Sequence, residues 1–156
     1  MAKVMFISSM GGHLTELLQL NEVIKMNDSS LVTEKSPSTL FLKDEYKNVH
    51  YLISGSKNKQ KILYPFRLIG NCFKSLFLYL KIRPDFIVTT GAHIAGPMCC
   101  IAKIFGSKIV YIETFANMST KTITGRLVYH FADYFVVQWE SMLKLYPKAI
   151  YGGWIY

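Results

Sequence analysis

The sequence predicts an α/β fold of the Rossmann type, a parallel β-sheet with helices on both faces. Short apolar runs of strand length alternate along the chain with longer segments whose apolar residues recur at helical spacing. Two of the short runs end in glycine-rich loops, as buried parallel strands do before a helix. The 156 residues suffice for one domain, and a composition of 51% hydrophobic and 18% charged residues excludes a disordered chain.

Each element follows from its local pattern. A continuous apolar run predicts a first strand over residues 4–8, and leucines at helical spacing predict a helix over 14–25. A proline turn at 83–85 precedes another strand, and Gly106 marks the end of a helix. The remaining patterns predict strands at 30–33, 49–53, 86–89, 108–112 and 134–138 and helices at 94–105 and 122–131.

The charge balance favours an anionic partner. Lys and Arg total 18 against 10 Asp and Glu, a formal net charge of +8, which suits a nucleic acid, a phosphate-bearing ligand or a membrane surface. The three cysteines, Cys72, Cys99 and Cys100, form no CxxC pair. Neither a disulfide framework nor a metal site is therefore expected, and the compartment should be reducing. The N-terminal apolar run is too short for a signal peptide.

The loop after the first predicted strand contains Gly11, Gly12 and His13. Two glycines let the backbone turn tightly and approach a ligand closely, and the unpaired amides that open a helix favour an anion. His13 would stand at the mouth of this loop, as a general base or a phosphate ligand. The alternative is an ordinary helix start with an exposed histidine. The loop matches neither a dinucleotide fingerprint nor a P-loop.

A second loop of similar composition follows the strand at 86–89. It carries Thr90, Gly91 and His93 at another strand-to-helix turn. A tight connection between strand and helix would explain this loop alone. Because ligands of parallel sheets bind beyond the carboxyl ends of the strands, two such loops predict a shared cleft for an anionic ligand.

Residues 57–83 are basic and unusually apolar. Lysines at 57, 59 and 61 precede a helical pattern in which Arg67, Asn71, Lys74 and Lys81 form one narrow polar stripe. Most of the other positions are apolar, and they include Phe73 and Phe77. The charges argue against a spanning helix. The pattern predicts an amphipathic helix lying at a membrane surface, with a buried helix of the α/β core as the alternative.

Several segments together resemble a known family. These are the two glycine loops and the segments 113–117, 124–139 and 146–153. They resemble the membrane-anchoring subunit of the split UDP-GlcNAc transferase of N-glycan assembly. They are equally similar to its bacterial relatives, the accessory subunits of capsule and exopolysaccharide glycosyltransferases. A looser similarity runs to the peptidoglycan lipid-linked GlcNAc transferase. The similarity covers nearly the whole chain.

The resemblance implies the N-terminal, acceptor-side half of a GT-B glycosyltransferase that is split over two chains. A separate donor-side subunit would carry most of the UDP-sugar site, and the acceptor would be a saccharide on a polyprenyl diphosphate. No cofactor and no metal are implied. The eukaryotic relatives begin with a transmembrane anchor, whereas the first strand here starts almost at Met1. We therefore expect peripheral attachment through 57–83, on the cytoplasmic face, as in the bacterial branch.

The resemblance also suggests roles for single residues. His13 is the first candidate for the base that deprotonates the acceptor hydroxyl, Glu113 is the second, and His93 is expected to bind phosphate or sugar. Asn117 and Ser119 would line the acceptor pocket, although capping of the next helix explains them equally well.

The C-terminal residues are rich in aromatic side chains. Tyr151, Trp154 and Tyr156 lie close together in sequence, and exposed aromatic residues at a terminus favour an interface. We expect them to pack on the donor-side subunit, with closure of the domain's own core as the alternative.

Two other functions compete with this interpretation. A self-sufficient nucleotide-sugar enzyme would need a complete nucleotide site, and the sequence carries no dinucleotide fingerprint. A nucleic-acid-binding domain would spread its cations over a polar face with exposed aromatic residues. Here the cations line one stripe of an apolar helix, so no nucleic-acid partner is expected.

Overall fold

The computed structural model of the chain describes residues 1–54 and 64–155. The lysines at 57, 59 and 61 and the predicted interface residue Tyr156 lie outside these ranges. Within them the strands form one parallel sheet of seven, in the order β3-β2-β1-β4-β5-β6-β7, and every neighbouring pair is parallel. The strands are β1 (Lys3–Ser8), β2 (Asp28–Glu34), β3 (Val49–Leu52), β4 (Phe86–Gly91), β5 (Lys108–Ile112), β6 (Tyr134–Val137) and β7 (Ile150–Tyr151).

Helices connect the strands and cover both faces of the sheet. They are α1 (Gly12–Leu18), α2 (Asn21–Met26), α3 (Leu42–Glu45), α4 (Tyr64–Ile82), α5 (Ala95–Ile104) and α6 (Ile123–Val128), with short 3₁₀ turns at Pro37–Thr39 and Glu140–Lys144. The predicted Rossmann-type class is confirmed.

The core has two halves, one on each face of the sheet. Side chains of a strand alternate between the faces. In β1, Val4 and Phe6 accordingly pack with α1, α2 and α3, while Met5 and Ile7 belong to the larger cluster with α4 and α5. An apolar strand buried on both sides is the pattern that the sequence showed.

Two local expectations were wrong, and one strand was not predicted. The helix predicted over 14–25 is divided into α1 and α2, because Gln19 and Leu20 donate their amides three residues back and tighten the end of the first helix. The helix predicted over 122–131 ends earlier, at Val128. The short strand β7 pairs with β6 through only two residues, too few to leave a pattern in the sequence.

The long helix α4 has an unusual distribution of side chains. Its outward face is apolar, with Phe73 and Phe77 at 70% and 72% exposure and Phe66, Ile69 and Leu80 also exposed. Leu78 and Tyr79, on another face, are buried in the core. The helix thus presents apolar surface to both the core and the solvent. No helix within residues 1–54 and 64–155 has both the length and the hydropathy needed to cross a membrane.

Asn71 does not belong to the predicted polar stripe of α4. It is only 4% exposed, and its side-chain amide accepts a hydrogen bond from the amide of Ile53 at 2.8 Å and donates to the carbonyl of the same residue at 2.9 Å. Asn71 therefore satisfies the backbone at the end of β3, where a strand partner is missing. The outward stripe consists of Arg67, Lys74 and Lys81 alone, spaced by seven residues.

Candidate functional site

The candidate site lies beyond the carboxyl ends of β1, β4 and β5. Because these strands are parallel and β4 lies between β1 and β5 in the sheet, the loops that follow them share one edge. They contain the two predicted glycine loops and the segment that starts at Glu113. The structure thus brings the predicted loops to one edge of the sheet.

His13 and Thr90 join the first two loops. The buried Thr90 hydroxyl donates to the backbone carbonyl of His13 at 2.6 Å and lies 3.1 Å from the Ser8 hydroxyl. In return, His13 Nδ1 lies 3.0 Å from the backbone carbonyl of Thr90. Gly11, with φ at +93°, makes the turn into α1.

The bond at Nδ1 also determines the tautomer of His13. A carbonyl oxygen can only accept, so Nδ1 carries the proton in this contact. In the neutral imidazole the other nitrogen, Nε2, is then an unprotonated acceptor. This tautomer thus places at Nε2 the lone pair that a general base requires.

Gly91 brings the second loop close to β5. Its φ is +99°, and a Cβ at this position would lie 2.6 Å from the Tyr111 hydroxyl. Ala92 follows with φ at +75°, an uncommon conformation for a residue with a side chain. Only glycine allows this approach of the β4 turn to Tyr111, a buried residue that the sequence did not single out.

Glu113 lies inside the protein rather than at its surface. The residue is 1% exposed, and its carboxylate accepts hydrogen bonds from the hydroxyls of Thr122 and Tyr146 and from the amide of Thr114. Burial raises the pKa of Glu113, although these hydrogen bonds counteract the rise. Burial of the Tyr146 hydroxyl, together with the nearby charge of Glu113, raises the pKa of Tyr146. In this arrangement Glu113 anchors Thr122, which caps α6 by accepting from the amide of Gly125.

Glu16 is a site residue that the sequence analysis missed. Its Oε1 accepts hydrogen bonds from the Thr114 hydroxyl at 2.6 Å and from the Phe115 amide at 3.2 Å. Helix α1 is thereby fixed to the loop after β5. A glutamate three residues after His13 looks like an ordinary solvent-facing helix residue, so only the tertiary structure reveals its role.

The other predicted ligand residues lie in the same loops. Asn117 binds the Thr120 amide and hydroxyl through its Oδ1 and donates its amide to the Thr120 carbonyl. Asn117 thus shapes the loop before α6, which supports the structural alternative for this residue. His93 and Ser119 are exposed next to Ile94 and Thr120 respectively.

The C-terminal segment returns to this edge of the sheet. After β7, the amide of Ile155 donates to Gln138 Oε1 at 3.3 Å. Trp154 packs edge-on against Phe115 at a centroid distance of 5.4 Å and is still 72% exposed. Tyr151 is also exposed. Of the two interface residues within the described ranges, Trp154 therefore lies beside the candidate site.

A cavity of about 410 Å³ opens there, lined by Thr15, Glu16, Gln19, Phe115 and Trp154. Two larger cavities, of about 640 and 490 Å³, open at the opposite, amino-terminal ends of the strands. They lie beside Lys108 and Asp28, the first residues of β5 and β2. Ligands of parallel sheets bind at the carboxyl ends of the strands. The candidate site is therefore chosen by the position of the cavity and not by its volume.

Two curated relatives are a transferase subunit and a transferase. The chain is 27% identical over 184 residues to the UDP-N-acetylglucosamine transferase subunit ALG14 of Mus musculus, covering 97% of this chain and 82% of the relative. It is 26% identical over 136 residues to a UDP-N-acetylglucosamine–N-acetylmuramyl-(pentapeptide) pyrophosphoryl-undecaprenol N-acetylglucosamine transferase of Francisella tularensis, covering 83% of this chain but only 36% of that enzyme.

Solved structures share the fold. Acinetobacter baumannii MurG superposes with a TM-score of 0.70 at 18% identity, over 90% of this chain and 42% of that one. UDP-N-acetylglucosamine 2-epimerase of Rickettsia bellii gives a TM-score of 0.70 at 17% identity, over 92% and 40%. The chain therefore spans about two fifths of these structures. The family model of the Alg14-like oligosaccharide biosynthesis proteins matches residues 3–155, and the chain belongs to this family.

Proposed function

We propose that this chain is the acceptor-binding and membrane-recruiting subunit of a two-component glycosyltransferase. The complex transfers a sugar from a UDP-sugar to a saccharide on a polyprenyl diphosphate. The observation that carries the proposal is the family match over residues 3–155. The mouse relative is named as a transferase subunit, and the Francisella relative as a transferase onto a pyrophosphoryl-undecaprenol acceptor.

The two glycine loops supply the binding chemistry. Gly11 and Gly12 are exposed, and a Cβ on either would meet no other atom within 4 Å, so the space beside this loop is open to a ligand. Thr90 and Gly91 are buried and hold the second loop in place, Thr90 through its hydrogen bond to His13, and the exposed His93 follows two residues after Gly91. Backbone amides and imidazoles are suitable donors to a diphosphate.

His13 is the proposed base. Its Nε2 takes the proton from the acceptor hydroxyl, and the hydroxyl oxygen forms the new bond to the anomeric carbon of the donor sugar. The bond from that carbon to the diphosphate of UDP breaks, and UDP leaves. We assign Glu113 to positioning, because its buried carboxylate is already bonded to Thr122 and Tyr146.

Helix α4 is the proposed membrane contact. Phe73 and Phe77 would enter the acyl boundary, while Arg67, Lys74 and Lys81 on the neighbouring stripe would reach anionic head groups. Helices of this kind lie in the interface rather than across it. From the resemblance to the bacterial accessory subunits, we propose that this surface is the cytoplasmic face of the membrane, where lipid-linked acceptors of a capsule or exopolysaccharide would be met.

We propose that a partner chain supplies the donor-binding half, since the mouse relative, 82% of which aligns with this chain, is itself named as a transferase subunit. Acinetobacter baumannii MurG is more than twice as long as this chain, which covers 42% of it. We propose that a donor-side subunit docks at the carboxyl edge and contacts the exposed Tyr151 and Trp154. Binding energy at interfaces concentrates in such aromatic residues.

Reconstitution tests the proposal. The purified chain, a donor-side subunit and both together are incubated with UDP-N-acetylglucosamine and a lipid-linked saccharide, and transfer to the lipid is measured. We expect transfer only with both chains. Turnover of the UDP-sugar by this chain alone would instead support a self-sufficient enzyme, and tight binding to a polynucleotide with no binding to liposomes would support the nucleic-acid alternative.

A further inference from the structure

We infer that the cavity between α1 and the C-terminal segment is a pyranose-binding subsite. This inference rests on the proposed function. In it, the cavity holds the acceptor saccharide while the glycine loops hold the diphosphate. The cavity of about 410 Å³ lies between Glu16 and Gln19 on one side and Phe115 and Trp154 on the other. Its volume falls in the range of small-molecule sites.

The aromatic wall fits one face of a sugar ring. Phe115 is fixed by its ring contact with Trp139, at a centroid distance of 4.7 Å, and by the Trp139 indole, which donates to the Phe115 carbonyl at 2.7 Å. Trp154 stands nearly perpendicular to Phe115, at 87°, and leaves most of its surface open. A pyranose has an apolar face of C–H groups that can pack on such a ring, and an aromatic side chain gains contact area at little conformational cost.

The polar wall fits the hydroxyl groups of the same ring. Glu16 is held by two hydrogen bonds to Oε1, while its Oε2 is buried and has no hydrogen-bond partner among the described residues. A carboxylate oxygen without a donor is costly when it is removed from water. A sugar hydroxyl would supply the missing donor. Beside it, Gln19 offers both donors and an acceptor, and the Thr15 hydroxyl, which donates to the Gly11 carbonyl, offers an acceptor.

The position of the cavity agrees with a sugar that follows a diphosphate. Glu16 lies one helical turn beyond His13 on α1, and residues three apart are neighbours on a helix surface. The proposed base therefore lies between the glycine loops and the cavity. A hydroxyl of a sugar seated there would point toward the groups that act on it.

Three probes separate this inference from the proposed function. Binding of citronellyl diphosphate tests the diphosphate cradle alone. Methyl glycosides of N-acetylglucosamine, glucose and galactose test the cavity alone, by saturation-transfer NMR on the full chain. N-acetylglucosaminyl citronellyl diphosphate tests both together.

We expect saturation transfer from the protein to at least one methyl glycoside. The Trp154→Ala variant should abolish this signal. The same variant should weaken the joined probe about tenfold, equal to about 1.4 kcal/mol, while the bare diphosphate binds as before. Glu16→Gln keeps an acceptor for Thr114 and Phe115 and should weaken only the two sugar-bearing probes. Tyr134→Ala, which removes a half-exposed aromatic residue at the opposite edge of the sheet, is the matched control and should change nothing.

Absence of saturation transfer to every glycoside overturns the inference, and so does transfer that survives Trp154→Ala. In either case the exposure of Trp154 is explained by the proposed contact with the partner subunit alone, without a sugar in the cavity. Loss of diphosphate binding with retained glycoside binding would overturn the diphosphate cradle and leave the subsite standing.

Discussion

Thr90 and His13 hold each other by reciprocal hydrogen bonds across two loops that are 77 residues apart in sequence. The threonine hydroxyl donates to the histidine carbonyl at 2.6 Å, and the imidazole Nδ1 donates to the threonine carbonyl at 3.0 Å. One contact thus sets the spacing of both glycine loops and the tautomer of the proposed base.

Thr90→Val should loosen this connection. The valine has nearly the same shape but leaves the His13 carbonyl without its donor, which should lower the free energy of unfolding by about 1–3 kcal/mol. Urea denaturation measures the loss. Thr90→Ser keeps the hydroxyl and is the control. Equal stability of the valine and serine variants would show that this hydrogen bond is unimportant.

His13→Ala should abolish most of the transfer by the reconstituted pair. Loss of a general base lowers turnover by about 100-fold or more, while complex formation, followed by size-exclusion chromatography, should be normal. His130→Ala removes an exposed histidine in the turn after α6 and should leave transfer unchanged. Normal turnover by His13→Ala in an intact complex would remove this residue from the chemistry.

Gly91→Ala should destabilise the fold more than Gly106→Ala does. Both glycines have a positive φ, so each alanine carries a backbone penalty of about 1–2 kcal/mol. Only at Gly91 does the added Cβ also meet the Tyr111 hydroxyl, at 2.6 Å, whereas the space around Gly106 is open. The difference between the two unfolding free energies isolates that contact. Equal losses would mean that Tyr111 can move aside.

Glu113 should make stability depend on pH. Because burial raises its pKa in the folded state, the folded chain binds this proton more tightly than the unfolded chain does. The resulting stabilisation is fully present below the ordinary glutamate pKa and is lost as the pH rises through the raised value. Urea denaturation over this range should therefore show a decline in the wild type that is smaller in Glu113→Gln. Parallel profiles would contradict the raised pKa.

Phe73→Asp and Phe77→Asp should weaken membrane binding without unfolding the protein. Both side chains are largely exposed, and each should contribute about tenfold to binding if it enters the acyl boundary. Flotation with liposomes containing anionic lipid measures the effect. Met26→Asp, at a residue 72% exposed on α2, is the control. Equal flotation of all three variants would exclude α4 as the contact.

The pattern of the sequence predicted much of the architecture because its strands are buried on both faces. Val4–Ile7 and Ile109–Ile112 read as unbroken apolar runs for that reason, and Gly11 after β1 and Gly91 at the end of β4 mark turns that few other residues allow. Short elements were missed or misjudged. Strand β7 is held by two residues and the break between α1 and α2 by local amide bonds, neither of which leaves a periodic signal.

The sequence by itself determined the fold class and the family, and it predicted the end of the strands at which the candidate site lies, since these depend on apolar periodicity and on local motifs. Only the tertiary structure decided which side chains meet. It buried Asn71 against Ile53, enclosed Glu113 behind Thr122 and Tyr146, and placed Trp154 beside Glu16. Such contacts join residues far apart in the chain, and their burial and hydrogen bonds arise only when the strands are assembled into one sheet.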